Sequence, residues 1–410
     1  MKLRTLKQIK NLKNKRVLVR VDFNVPVNNG KILDDERIKL SVPTIEYLLK
    51  KKAKVILLTH LGRPAGYNGK GKSGYDKKFA LTSVVKKASE LLNKEIKFVE
   101  DIKIGRAKDQ ELYFANAEKE IAKMKDGEIV MLENMRFFPE EAKEITKLSK
   151  KIAKLGDIFV LDGFAVAHRE AASVSGVAKY LPSFAGFLLE KEIINLNKVT
   201  EKPKSPFVVV LGGAKVETKA PVLKNLLPKA DYVLIGGGVF NTYLKAVGYK
   251  LGGSLVDNDY LKDSLKYCKT MKVIKPIDVV VGTEDGKHYE VLKVNSKLEI
   301  KNSKLAILDI GPATIRLYAE YIKKAKTLVW NGAMGYFEKR VYSTGTLSVA
   351  RLVASRARGR AFGVIGGGET LEAMERVKMT EFVDLVSTGG GAMLEYLAGK
   401  KLPGIRALIS

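Results

Sequence analysis

The sequence predicts an α/β fold of two doubly wound domains with mainly parallel sheets, joined by a hinge helix and enclosing a ligand cleft between them. Three observations lead there. At 410 residues the chain exceeds the roughly 100–200 residues of one ordinary domain. Short, continuous, β-branched apolar runs recur along it, separated by amphipathic stretches such as residues 77–92. Runs of this kind read as parallel strands buried on both faces in βα units. A basic, weakly apolar stretch, residues 198–206, divides the runs into two series.

In order, the predicted strands of the first series are residues 17–21, 55–59, 129–132 and 158–161. An apolar helix candidate follows at 184–196, and then the second series at 208–211, 232–235, 305–308, 328–330, 362–365 and 383–386. The resulting division is an N-terminal domain over 1–185, an interdomain helix and linker over 186–206, and a C-terminal domain over 207–395. A tail over 396–410 completes the chain.

Composition excludes several classes. A hydrophobic share of 46% with 29% charged residues suits a soluble globular protein. No apolar run approaches the ~20 residues of a membrane helix, and the first residues lack a signal-peptide core. One cysteine, Cys268, rules out internal disulfides and thiolate zinc sites. With it and only three histidines (His60, His168 and His288), a reducing cytoplasm without a protein-built metal cage is expected. The charge of +28, from 73 Lys+Arg against 45 Asp+Glu, suits nucleic-acid binding or the steering of small polyanions into a cleft. The lysines are scattered on helical stretches (Lys86, Lys87, Lys143, Lys147, Lys150) and no base-stacking aromatic motif accompanies them, which favours steering.

Ligands of open parallel sheets bind beyond the carboxyl ends of the strands, and there the two halves differ in kind. The first half ends its strands in charge: Asp22 and Asn24; His60 and Arg63; Glu133, Asn134 and Arg136; Asp162, His168 and Arg169, with Arg37 in the loop after the first strand. The second half ends them in glycine: Gly212-Gly213-Ala214-Lys215, Gly236-Gly237-Gly238, Asp309-Ile310-Gly311-Pro312, Asn331-Gly332, Gly366-Gly367-Gly368-Glu369 and Gly389-Gly390-Gly391. Guanidinium forks grip carboxylate and phosphate oxygens bidentately. Glycine turns that open helices let backbone N–H groups approach phosphates. Singly, a strand-end arginine is commonly a surface ion pair and a Gly-Gly pair a tight turn. Jointly they describe a compact acidic substrate on one half and a nucleotide on the other. His288 reads as a surface residue and Trp330 as a core aromatic.

One motif is misleading. Residues 66–73, Gly66-Tyr67-Asn68-Gly69-Lys70-Gly71-Lys72-Ser73, match the G-x-x-x-x-G-K-[ST] pattern letter for letter. A true P-loop runs directly from a strand into a helix. Pro64 intervenes here and Gly74 and Asp76 follow, so a flexible surface loop is expected.

Taken together, the motifs resemble those of the phosphoglycerate kinase family. They run from Arg20-Val21-Asp22-Phe23-Asn24-Val25-Pro26 through His60-Leu61-Gly62-Arg63-Pro64, Glu133-Asn134-Met135-Arg136-Phe137 and Ala167-His168-Arg169. In the second half they continue with Leu211-Gly212-Gly213-Ala214-Lys215-Val216, Asp309-Ile310-Gly311-Pro312, Val329-Trp330-Asn331-Gly332 and Phe337-Glu338. Ile365-Gly366-Gly367-Gly368 and Val386-Ser387-Thr388-Gly389-Gly390-Gly391-Ala392 complete the series in the family's order over nearly the whole chain.

The resemblance implies reversible phosphoryl transfer between 1,3-bisphosphoglycerate and ADP, giving 3-phosphoglycerate and Mg-ATP, after hinge closure. It implies that Asp22, Phe23, Asn24, Arg37, His60, Leu61, Gly62, Arg63, Arg136 and Arg169 hold the phosphoglycerate, with Arg37, Lys215 and Gly390 at the transferring group. Gly212, Lys215, Lys219, Gly237, Gly311, Asn331, Glu338, Gly367, Gly368, Glu369 and Thr370 would hold the nucleotide, with Glu338 at the ribose and Mg2+ near Glu369, directly or through water. It further implies a monomer, with a homodimer as the alternative, no nucleic acid or membrane partner, and a tail packed on the first domain. A P-loop-type NTPase and a basic nucleic-acid-binding protein are the rival readings.

The sequence departs from the family pattern at Glu369, where many relatives have Asp, and at Ala333, where Pro is usual. It departs again at Phe138, a frequent His, and at Glu170-Ala171, which stand where a second histidine-bearing stretch occurs. The last two suggest an archaeal-type branch.

Overall fold

The computed structural model describes residues 3–65, 75–100, 114–142 and 145–409. The P-loop-like segment falls outside them. The described chain forms two compact units, Met1–Ile193 with Lys401–Ser410, and Ile194–Lys400.

The first unit is built on a six-stranded, fully parallel sheet. Its spatial order is Lys97–Val99, Ile129–Leu132, Lys54–Leu58, Arg16–Arg20, Ile158–Leu161, Ser183–Ala185. Val17, Val19, Val55, Leu57, Ile129, Met131, Ile158 and Val160 fill one face of its core. Their neighbours Leu18, Ile56, Leu58, Val130, Phe159 and Leu161 are equally buried on the other. Two covered faces are the reason these strands read as unbroken apolar runs rather than as alternation.

Residues 77–92 do not form one helix. A 3-10 turn, Lys77–Phe79, precedes the helix Thr82–Leu92. The expected helix at 184–196 begins later, at Phe187, and runs to Thr200, because Phe184 is taken by the edge strand Ser183–Ala185. The chain passes from one unit to the other inside this helix. The last residues return to the first unit: Arg4 N–H donates to Leu408 O at 2.8 Å and Gly404 N–H to Ala167 O at 2.9 Å.

The second unit has another parallel sheet. Its order is Val273–Ile274, Tyr232–Ile235, Phe207–Leu211, Thr327–Asn331, Phe362–Gly366, Leu385–Ser387. Numbered along the chain this is 3-2-1-4-5-6, so the winding reverses between Phe207–Leu211 and Thr327–Asn331. Such a reversal opens a crevice at the strands' carboxyl ends. Trp330 is fully buried in the core beside Val208, Val210, Leu234, Leu328 and Ile365.

The run at 305–308 does not join this parallel sheet. It lies in Ala306–Ile310, an edge of a separate antiparallel sheet with Asp278–Gly282 in the middle and Tyr289–Lys293 outside. An apolar run alone does not specify the direction of its neighbour.

Candidate functional site

Two constellations form at strand ends, one in each unit. In the first unit, Asp22 follows Arg16–Arg20 and His60 follows Lys54–Leu58, adjacent strands in register. Arg37 lies on the first turn of the helix Glu36–Lys50 rather than in a loop, and its guanidinium pairs with Asp22 Oδ2. Asn24 accepts from Gly62 N–H at 2.8 Å, and Arg136 Nη1 donates to Gly62 O at 2.5 Å. Gly62 is in the left-handed region (φ +61°), and a Cβ there would meet the Phe79 ring at 2.3 Å. Asn134 donates to Leu61 O and Phe79 O and accepts from Arg136 N–H, tying the Leu61–Arg63 turn to the arginine. Phe23 and Leu61 are buried beneath the constellation.

Burial, and then the charges of Arg20, Arg136, Arg169 and Arg37, hold His60 well below the ordinary imidazole value. Although Asp22 Oδ1 is 3.7 Å from His60 Nδ1, the ring is neutral, because surrounding guanidiniums and lost hydration outweigh one carboxylate. Arg63 is exposed and Arg169 half-buried, and neither side chain has a hydrogen-bond or ion-pair partner among the described residues.

The other strand-end acids do different work. Asp162 is fully buried, accepting from Thr44 Oγ1 at 2.9 Å and from Leu188 N–H at 3.0 Å. It secures the start of the helix Phe187–Thr200, and burial pushes its carboxyl up to about 7. Glu133 accepts the N–H groups of Leu81 and Asn134. Asp22 pairs with Arg37 and faces His60, while Arg20, Arg136, Arg169 and Arg37 surround the ring, so guanidiniums outnumber carboxylates around it.

In the second unit two cavities adjoin at the winding reversal. The larger, about 660 Å³, is lined by Gly237, Leu255, Leu308, Met334, Tyr336 and Glu338, among others. The smaller, about 370 Å³, is lined by Lys215, Lys219, Gly367, Gly368, Thr370 and Gly390 together with Asn331 and Thr218. Gly213, Ala214 and Glu369 line both. The first has the apolar walls and size of a nucleoside pocket; the second has cations and glycine backbone suited to phosphates.

Local geometry explains the glycines. Gly213 (φ +87°) and Gly367 (φ +97°) occupy conformations that L side chains rarely adopt. Gly212 carries no cavity wall: a Cβ there would lie 2.1 Å from Ala333 O, so it permits close packing of the two central strand ends. Gly311 also lines neither cavity; it packs against the Asp278 carboxylate at the start of the helix Pro312–Ile322.

Lys219 is buried on the helix Val216–Leu226 and donates to Asn331 Oδ1. Burial pulls its ammonium down to about 8, with Glu369 opposing. Asn331 Nδ2 donates to Gly366 O, and Thr370 Oγ1 accepts Gly332 N–H at 2.7 Å, so both side chains lock neighbouring strand ends. Glu369, exposed at the junction, accepts Ala333 N–H at 3.2 Å.

The sequence reading missed Leu255, Leu308, Met334 and Tyr336 as cavity walls. Their only signal is apolar character beside a glycine turn, which core residues share. Among the described residues no group of three or more His, Cys, Asp or Glu is arranged to hold a metal, and no helix is long and apolar enough to cross a membrane. Cys268 is buried, its thiol pushed up to about 12.

Comparison with known proteins gives one answer. The model of the family described as phosphoglycerate kinase matches residues 6–400. A phosphoglycerate kinase of Pelotomaculum thermopropionicum is 44% identical over 97% of this chain and 97% of its own. One of Borrelia turicatae is 42% identical over the full length of both. The structure of phosphoglycerate kinase from Coxiella burnetii matches with a TM-score of 0.84 at 38% identity, covering 99% of each chain. The structure from Pyrococcus horikoshii OT3 matches at 0.81 and 34% identity, covering 99% of this chain and 98% of its own. The archaeal-type reading of Phe138 and Glu170-Ala171 gains nothing from these identities. Sequence motifs, sheet order and site geometry agree: the chain belongs to the phosphoglycerate kinase family.

Proposed function

We propose that the chain transfers a phosphoryl group reversibly between 1,3-bisphosphoglycerate and ADP, giving 3-phosphoglycerate and ATP. The supporting observation is that one chain carries both halves of the chemistry: a cationic pocket around Asp22, His60 and Arg136 in one unit, and adjoining nucleoside-sized and phosphate-sized cavities in the other.

In the direction of ATP formation, a β-phosphate oxygen of ADP attacks the acyl phosphorus. The bond to the carboxyl oxygen breaks, and 3-phosphoglycerate leaves as a carboxylate. Nucleophile and leaving group are both anions, so no proton moves and no general base is needed. The chain's task is to position the reactants and offset charge. Arg37 and Lys215 are assigned to the transferring group, with the backbone at Gly390 beside it. Each well-aimed donor is worth a few kcal/mol when charge develops in a dry site.

Asn24, His60, Arg63, Arg136 and Arg169 are assigned to the phosphoglycerate, Lys219 to the nucleotide phosphates, Thr370 beside them, and Glu338 to the ribose. Among the described residues, Glu369 is the one acid lining the smaller cavity. A single carboxylate beside phosphates fits Mg2+, which keeps several waters and takes few protein ligands. When bound with the nucleotide, Mg2+ neutralises phosphate charge, and Glu369 would hold it directly or through water.

The first unit is thus the phosphoglycerate domain and the second the nucleotide domain. Closure about the helix Phe187–Thr200 and the linker after it would bring the half-sites together and exclude water from the acyl phosphate. A cytoplasmic monomer suits a chain that carries both half-sites and whose single cysteine, Cys268, is buried.

The test is ATP consumption measured with and without 3-phosphoglycerate. Turnover that depends on the acid is expected; turnover independent of it overturns the assignment. For closure, small-angle scattering should show a smaller radius of gyration with both substrates than with either alone.

A further inference from the structure

His60 has a buried partner chain behind it that the transfer reaction does not call for. Glu141, in the 3-10 turn Pro139–Glu141, accepts Ser173 N–H at 3.0 Å and Ser173 Oγ–H at 2.5 Å, one on each oxygen. Ser173, in the π-turn Ala172–Gly176, accepts Arg20 Nε–H at 2.9 Å. Arg20, the last residue of its strand, sends Nη2 to His60 Nδ1 at 3.1 Å and Nη1 to Val21 O at 2.5 Å. Glu141, Ser173, Arg20 and His60 are each 3% exposed or less. Three segments distant in sequence, carrying Glu141, Ser173 and Arg20, thus link into one chain that ends on the His60 ring nitrogen.

The chemistry of the donors decides the tautomer. A guanidinium has only donors, so Nδ1 facing Arg20 must accept, and the ring proton resides on Nε2. The competing partner is Asp22 Oδ1, 3.7 Å from the same nitrogen. With Arg20 gone, a proton on Nδ1 directed at Asp22 becomes the better arrangement. Nε2 would then present a lone pair, which repels an anion. The remaining charged groups around the ring, Arg37, Arg136 and Arg169, bind anions whichever nitrogen holds the proton.

We propose that Glu141, Ser173 and Arg20 act as a positioning relay that keeps the His60 proton on Nε2, so that a neutral imidazole donates a hydrogen bond to the bound acid. The inference rests on reading His60 as a ligand of the phosphoglycerate. Glu141 anchors the relay: burial raises its carboxyl, while Arg20 and the two Ser173 bonds favour the anion. Without that counter-charge, Arg20 would be a buried cation free to turn toward Asp22.

The experiment is ring 15N–1H correlation spectroscopy of the ligand-free protein, which has only three histidines to assign; exposed His288 is identified by His288→Gln. The wild type should show His60 with Nε2 protonated, Nδ1 unprotonated and no titration near the ordinary imidazole value. Arg20→Met and Ser173→Ala should move the proton to Nδ1 or bring the ring into titration. KM for 3-phosphoglycerate should rise about tenfold in Arg20→Met and less in Ser173→Ala, with KM for ATP within about twofold of wild type. Ser173→Thr, which keeps the hydroxyl, should restore the wild-type spectrum.

An Nδ1-protonated or charged His60 in the wild type overturns the proposal. So does a folded Ser173→Ala protein with unchanged tautomer and unchanged pH dependence. The wild-type spectrum decides even where a variant does not fold. Because it is recorded without substrate, failure of the substrate assignment leaves the spectra intact and is recognised separately in the ATP-consumption assay.

Discussion

Replacing Lys219 by Met should make the protein more stable and much less active, and the two effects have separate origins. The side chain is 7% exposed, and burial lowers its ammonium from 10.5 to about 8. A shift of that size corresponds to about 3 kcal/mol disfavouring the charged form in the folded state. Methionine matches the volume and carries no charge, so that cost disappears. The bond to Asn331 Oδ1 is lost as well, costing roughly 1–2 kcal/mol. A net gain of about 1–2 kcal/mol remains, a rise in Tm of a few degrees in a unit of this size. Against that, an ammonium among nucleotide phosphates makes charge-assisted hydrogen bonds worth about 1.5–3 kcal/mol each. Losing one or two of them lowers kcat/KM for ATP by roughly 10²-fold or more, with KM for 3-phosphoglycerate little changed. Calorimetry on the ligand-free protein and steady-state kinetics at saturating 3-phosphoglycerate measure the two effects. A variant less stable than wild type refutes the burial argument, and one with unchanged kcat/KM for ATP refutes the phosphate assignment.

Four further outcomes are expected. Gly213→Ala places a side chain at φ +87° with Cβ 3.2 Å from Glu369 Oε2; ATP affinity should fall severalfold and stability by about 1–2 kcal/mol, read by calorimetric titration and thermal melts. Arg136→Met should raise KM for 3-phosphoglycerate by ten-fold or more without altering ATP binding, because the guanidinium is aimed into the cationic pocket while holding Gly62 O. Asp162 has its folded value raised to about 7, so its stabilising contribution is complete below about pH 4 and is lost as pH rises toward 7. The Tm difference between wild type and Asp162→Asn should therefore shift in favour of wild type as pH falls from about 7.5 to 5; a constant difference removes Asp162 as the cause. Lys72→Ala should leave turnover unchanged while Lys215→Ala abolishes most of it; the reverse pattern would restore the P-loop reading.

How much of this was legible before the structure depends on what each residue signals locally. The strands 129–132, 158–161 and 232–235 were readable to the residue because double-sided burial leaves an uninterrupted apolar run with polar ends. Ala306–Ile310 carries the same run but pairs antiparallel in another sheet, since partner direction is set by the connection and not by composition. At the site, arginines and glycines at strand ends stood out by type. Their division of labour did not: Asp22 and Asp162 both follow a strand, yet one pairs with Arg37 and the other is sealed under the helix Phe187–Thr200. Gly213 and Gly311 are both glycines after a β run. One lines both cavities of the second unit while the other clears a carboxylate. What distinguishes members of each pair is the partner brought in from another segment, whether Arg37, 15 residues from Asp22, or Thr44, 118 residues from Asp162. Glu141, Ser173 and Arg20 are the extreme case, since a buried glutamate, a serine and a strand-end arginine signal nothing individually. Their meaning arises when a strand end and two turns from distant segments link into one chain ending on an imidazole nitrogen, and that is why the proton on His60, rather than His60 itself, required the folded chain to be seen.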